Sequence, residues 1–196
     1  MSAGGFINVG MVFDQKHNLV RSMNSVKDFL SQHGSNFLSV KYSKDIDGEN
    51  WIEENIEDNV LQESYLTGFY NEFEVSGKFL DTNKELNLSI IKEDNYFGLL
   101  FNIEWEEMSN QNFITFQTKV VNYLIEIYRI LPYEYSFVGH EIEIEMDPEE
   151  FVNALKGNDS FPVAIIGKNV ELDVYYGSIG IDGFSSQAQR KEVIKI

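Results

Sequence analysis

The stretch "GHEIEIEMDPEEF", residues 139–151, is the part of this chain richest in side chains able to do chemistry. It holds five glutamates and one aspartate in thirteen positions. Carboxylates at that density can serve acid/base catalysis, hold a hard cation through oxygen ligands, or receive a cationic partner. Read as a strand, the stretch sends alternate side chains to opposite faces. Glu141, Glu143 and Glu145 then share one face, about 6.6 Å apart at a rise of about 3.3 Å per residue. His140, Ile142, Ile144 and Met146 share the other. Adjacent carboxylates repel one another and stay buried only with cations, so the plain expectation is a solvated face over an Ile/Met core face. The nearest histidine faces away from the glutamates, which weakens a metal or catalytic reading. A protein-binding face is favoured over both, because Asp147, Glu149 and Glu150 continue the acids with no basic residue between 141 and 150. Tyr133 and Tyr135 stand just upstream, and tyrosine is enriched at interfaces.

Other candidates are weaker. "SKDIDGENWIEE", residues 43–54, places Asp45, Asp47, Gly48 and Glu54 at the third, fifth, sixth and twelfth places of a calcium loop. Ser43 at the first place and Asn50 at the eighth do not fit. The expectation is an exposed turn, or a second acidic contact patch of Asp45, Asp47 and Glu49 with Trp51 as an anchor. "GSIGIDG", residues 177–183, lacks the Walker lysine and the dinucleotide spacing and reads as turns. Asp14 and Lys16 in "FDQK" suggest a carboxylate–lysine nuclease core, but no second carboxylate presents itself to hold a metal, so a surface turn is expected. His17 and His33 have no matched nucleophile. No metal, cofactor or catalytic residue is assigned.

The elements that must position these side chains follow from periodicity. "FINVGMVF", residues 6–13, alternates as a strand. Leu19, Met23, Val26, Leu30 and His33 repeat at helical spacing over 19–33, between Asn18 as N-cap and Gly34 as terminator. "FLSVKY" is a strand. Residues 45–63, with eight acids and no Lys or Arg, read as a loop or short exposed helix. "FYNEFEV", "GKFL", "ELNLSII" and "YFGLLFNIEW" read as a meander, with Phe97, Leu99, Phe101, Ile103 and Trp105 on one face. Phe113, Phe116, Val120, Leu124, Ile127 and Leu131 mark a helix over 110–131 that Pro132 stops. "YSFV" and "EIEIEM" follow as strand. "DPEEFVNALKGN" is a short helix capped by Asp147, with Pro148 at its first position. "FPVAIIG" and "NVELDVYY" close the sequence of elements as a strand pair, and 184–196 remain as an unassigned tail. The sum is one α+β domain over 1–196: a mixed or antiparallel sheet, two principal helices and one short helix.

Composition bounds the function. The chain has 196 residues, 43% hydrophobic and 14% aromatic, enough for a sizeable core. A net charge of −17 repels phosphate backbones and attracts basic partners. Without cysteine there is no disulfide, thiolate or zinc–thiolate chemistry. No signal-like segment and no bilayer-length apolar run is present, so a cytoplasmic protein is expected.

The stretch from Tyr133 to Phe151, "YEYSFVGHEIEIEMDPEEF", resembles a family of bacterial immunity proteins of polymorphic toxin systems, in which an H-E-x-E-I-E strand precedes a Pro-Glu-Glu helix. "YFGLLFNIEW" and "GIDGF", residues 180–184, add to the likeness, which covers about half the chain. The resemblance implies an α+β protein, not an enzyme, that binds and neutralises a cognate toxin, expected to be a basic nuclease. The rival readings are a small carboxylate- or metal-dependent hydrolase and a scaffold domain with no toxin partner.

Overall fold

A computed structural model describes residues 5–106, 112–156, 161–177 and 190–196. Its order is β1 (Phe6–Asp14), α1 (Leu19–Gln32), β2 (Phe37–Ser43), β3 (Trp51–Asn55), β4 (Asn71–Ser76), β5 (Glu85–Lys92), β6 (Tyr96–Glu104), α2 (Phe113–Ile130), β7 (Tyr135–His140), α3 (Pro148–Lys156), β8 (Val163–Lys168), β9 (Glu171–Tyr176) and β10 (Arg190–Lys195). The strands form one sheet in the order β10-β9-β8-β7-β1-β6-β5-β4-β2-β3. Every pairing is antiparallel. The fold is α+β, mostly sheet.

Period-two alternation gives the sheet two unlike faces. Ile7, Val9, Met11 and Phe13 of β1 join Phe97, Leu99, Phe101 and Ile103 of β6 on the helix face, where all are buried. The α1 side chains Met23, Val26 and Leu30 and the α2 stripe Phe116, Val120, Leu124, Ile127 and Leu131 cover that face. Both helices begin on an asparagine whose side chain accepts a backbone N–H: Asn18 from Arg21, and Asn112 from Thr115. His33 joins the helices, 3.2 Å from Glu126 and packed against Phe29 and Tyr123.

Four expectations are corrected. Residues 51–55 are a strand, β3, rather than loop or helix. Tyr42 on β2 donates to Glu54 across the pair at 2.8 Å, and an edge strand needs no full apolar stripe. "GKFL" is a 3-10 turn over Gly77–Leu80. A Cβ at Gly77 would lie 2.4 Å from the Lys84 carbonyl, so the chain folds back there rather than extending. Part of the tail is β10, held because the buried Asp173 carboxylate draws Lys168 and, at 2.8 Å, Lys191.

"EIEIEM" is the fourth. β7 ends at His140, and Glu141 adopts φ 53°, a left-handed backbone. Residues 142–147 then run outside any strand ladder. The reversal separates residues expected together. His140 stays on the helix face, edge-on to Trp105 at 5.6 Å, while Ile142 and Ile144 turn onto the opposite sheet face. The readings that fall on 178–189, including most of "GSIGIDG" and all of "GIDGF", lie outside the described residues.

Candidate functional site, an acidic groove on the second sheet face

The second face begins with two bare places in the sheet. Gly98 of β6 and Gly139 of β7 have no side chain, and the crossing segment 141–147 uses the gaps. A Cβ at Gly98 would lie 2.5 Å from Ile144 Cδ1, and one at Gly139 would lie 2.1 Å from Ile142 Cδ1. A side chain at either place would have to displace the isoleucine, most severely at Gly139, where Ile142 Cγ1 would also lie 2.8 Å away. Two hydrogen bonds fix the segment lengthwise. The Ile142 N–H donates to Asn8 Oδ1 at 3.0 Å, and the Tyr135 hydroxyl donates to the Met146 carbonyl at 2.6 Å. Tyr135 in turn stacks on Phe151 of α3 with ring centres 3.8 Å apart.

With its isoleucines turned inward, the segment presents Glu141, Glu143 and Glu145 to solvent, and all three are exposed. They form one wall of an open groove of about 870 Å³. Glu72 of β4 and Glu93, just after β5, bring its carboxylates to five, and among the described residues no lysine or arginine lines it. The floor is amide and hydroxyl. Asn8 on β1 donates to Asn102 on β6 at 2.7 Å, Asn102 lies opposite Asn87 on β5, and Ser89 donates to Asn87 at 3.0 Å. Phe6, Leu100 and Ile144 add apolar surface. The same three glutamates also border a second depression of about 490 Å³, on the α3 side of the segment.

Charges beside the groove act on the phenols around it. Burial pushes the Tyr96 hydroxyl above its ordinary range, and Glu93, Glu150, Asp147 and Glu145 push it further. Burial does the same to Tyr135, helped by Tyr96, Asp147 and Glu150. Further along the face the like charge of Glu74, with a hydrogen bond to it, raises Glu85.

The expected site residues therefore divide. Glu141, Glu143 and Glu145 are brought together with Glu72 and Glu93. Asp147 and Glu150 are engaged in a reciprocal cap of α3. Asp147 Oδ1 accepts from the N–H groups of Glu149 and Glu150, each at 2.8 Å, and Glu150 accepts the Asp147 N–H at 3.0 Å. Glu149 stays exposed beside them. Tyr133 and Tyr135 are core residues, 2% and 1% exposed, and Tyr133 donates to the Leu124 carbonyl. Neither presents itself to a partner, because each ring packs inward and each hydroxyl is bonded inside the fold.

Asp45, Asp47, Glu49 and Trp51 lie at the far end of the sheet. Asp45 folds its carboxylate onto its own loop, accepting from the N–H groups of Glu49 and Asn50, and these bonds hold its pKa low. That is a turn, and the twelfth-place residue Glu54 is bonded to Tyr42 instead. Asp14 and Lys16 close a turn by pairing with each other at 2.9 Å. Among the described residues no group of three or more His, Asp or Glu is placed to hold a metal ion. No helix among them is long and apolar enough to cross a membrane.

The groove residues missed in the sequence are Asn8, Asn87, Ser89, Asn102, Glu72 and Glu93. A signal existed: in each strand they fall at the parity opposite the apolar stripe, and Asn8 and Asn102 interrupt otherwise apolar runs. Reading both parities of β1, β5 and β6 would have exposed a polar second face.

Residues 5–187 match the profile of a family described as Immunity protein 64. No curated protein matches the chain in sequence. Among solved structures it is similar to a T6SS protein of Pseudomonas aeruginosa, at 12% identity and a TM-score of 0.37, over 69% of this chain and 40% of that one. The chain thus spans less than half the length of that protein.

Proposed function

The chain belongs to the Immunity protein 64 family, and from that premise we propose that it neutralises a cognate bacterial toxin by seating a basic element of it in the acidic groove. The observation that carries this reading is convergence. Five glutamates from three separated stretches of chain meet on one open sheet face, with no lysine or arginine among the described residues that line the groove they form. Left alone, such carboxylates repel one another; a lysine- or arginine-bearing surface relieves that repulsion and gains charge-assisted hydrogen bonds. The amide floor offers further donors and acceptors. A net charge of −17 speeds the encounter with a basic partner.

A toxin that cleaves nucleic acid fits this description, because it must carry cationic surface to hold phosphates. Carboxylates occupying that surface exclude the substrate. The protein then acts by binding rather than by catalysis, in the cytoplasm of the producing cell.

The test uses a purified cognate toxin domain. Reversing Glu141, Glu143 and Glu145 to lysine leaves the fold intact, since all three are exposed. It should lower the association rate at low salt about tenfold or more in stopped-flow measurements. An association rate equal to wild type would remove the groove from the interface.

A further inference from the structure

The sheet has a second feature suited to a partner, at the edge farthest from β10. β3 is the terminal strand, and no described strand pairs with its outer side. Its ladder to β2 shows which backbone groups are free. Lys44 N–H bonds Asn50 O at 3.0 Å, and Ile56 N–H bonds Leu38 O at 2.8 Å. Antiparallel pairs alternate between bonded and non-bonded, so Tyr42–Ile52 and Val40–Glu54 are the bonded pairs between these ends. The N–H and C=O groups of Trp51, Glu53 and Asn55 therefore point away from the sheet. No proline or lysine occupies these outward positions, although natural edges are commonly blocked that way.

Beside this edge stands a rigid, partly exposed aromatic pair. Trp51 and Tyr70 stack with ring centres 6.2 Å apart and are 37% and 47% exposed. Each is already immobilised. Trp51 Nε1 donates to the Gly48 carbonyl at 2.7 Å, and the Tyr70 hydroxyl donates to the Ile46 carbonyl at 3.0 Å. Phe69, beside Tyr70 in the chain, and Ile46, whose carbonyl Tyr70 holds, are 52% and 65% exposed. Side chains whose rotamers are fixed before binding lose little entropy when covered. Five acids and no Lys or Arg lie between residues 45 and 55, and Lys41 of β2 already sets its Nζ 4.7 Å over the Trp51 ring, so this indole face accepts a cation.

We propose that this edge receives an extended, lysine- or arginine-bearing segment of the toxin as an eleventh strand, with Trp51 and Tyr70 as its anchor. The choice of a toxin polypeptide as occupant rests on the function proposed above. The backbone of Trp51, Glu53 and Asn55 supplies the ladder bonds of strand addition. Acidic charge selects a cationic segment. The same charge discourages β3 of one copy from pairing with β3 of another, because it would set like charges against each other.

A synthetic nine-residue peptide of alternating lysine and valine tests the proposal, with amide hydrogen exchange read residue by residue on the full chain. With peptide at about four times its Kd, the amides of Trp51, Glu53 and Asn55 should slow about fivefold. Those of Ile52 and Glu54, already bonded to β2, should not change. Glu53→Pro removes an outward N–H without breaking the β2 ladder and should abolish the protection. Trp51→Ala, which leaves the backbone free to pair, should weaken it. Protection that persists when Glu141, Glu143 and Glu145 are all changed to Gln separates this edge from the groove. Absence of slowing at Trp51, Glu53 and Asn55, while the resonances of 141–145 shift, overturns the proposal and leaves the groove reading standing. Self-association of the chain through β3 and its basic last strand, β10, overturns it in favour of a second copy.

Discussion

The two faces of this sheet are built from alternate residues of the same strands, yet they do different work. On the helix face the apolar side chains are continuous from β8 to β2, and Phe13, Phe37, Phe73 and Leu88 are wholly or almost wholly buried beneath α1, α2 and their loops. On the second face the buried strand residues belong to β1, β6, β7 and β8, under the 141–147 segment and α3, with Ile91 of β5 and Tyr175 of β9 half-buried at the margins. Beyond it β5 and β4 offer Asn87, Ser89, Glu72 and Glu74, a mostly polar surface. The lesson is that an uncovered face is written by parity. Where both parities are apolar the sheet is sandwiched, and where one is polar it stays open and available to a partner.

The comparison can be broken by measurement. Phe73→Ala on the helix face should cost about 3–5 kcal/mol in urea unfolding, the largest effect here, because the cavity is closed on all sides. Ile144→Ala on the second face should cost less, about 2–3 kcal/mol, since its cover is a single segment. Equal losses would mean that the two faces are packed alike. Asn8→Ala removes the partners of the Ile142 N–H and of Asn102 Oδ1 and should cost about 1–2 kcal/mol. Its amide exchange should quicken first at Ile142 if the segment is held as described.

The smallest effect carries a sign. Glu74 raises the Glu85 pKa, so the folded state takes up a proton more readily than the unfolded one. The strain is present at neutral pH and is relieved as pH falls through the raised value into the ordinary carboxylate range. Glu85→Gln should therefore melt slightly higher than wild type at pH 7, with the difference vanishing in acid. A lower melting temperature at pH 7 would show that the open face does not carry unrelieved negative charge there.

Much of this was legible in the sequence. Asn18 and the 3.6-residue stripe marked α1, and the Phe116–Leu131 stripe marked α2. Asp147, Pro148 and Glu150 spelled out the start of α3. The alternation of Glu141 to Met146 correctly separated outward glutamates from inward isoleucines. These features are local: each depends on residues within one or two turns of one another.

What tertiary structure decided was where those local pieces lie. The left-handed Glu141 carries Ile142 and Ile144 to the opposite sheet face from His140, into gaps at Gly139 and Gly98; Gly98 is more than forty residues away in the chain. Glu72 and Glu93 join the glutamates of 141–145 only because β7, β1, β6, β5 and β4 lie side by side. Tyr133 and Tyr135 look like interface residues by type but are core by position. Strand order and crossing geometry depend on long-range packing, which one stretch of sequence does not encode. The composition of the acidic ladder was therefore readable at once, and the groove it helps to form was not.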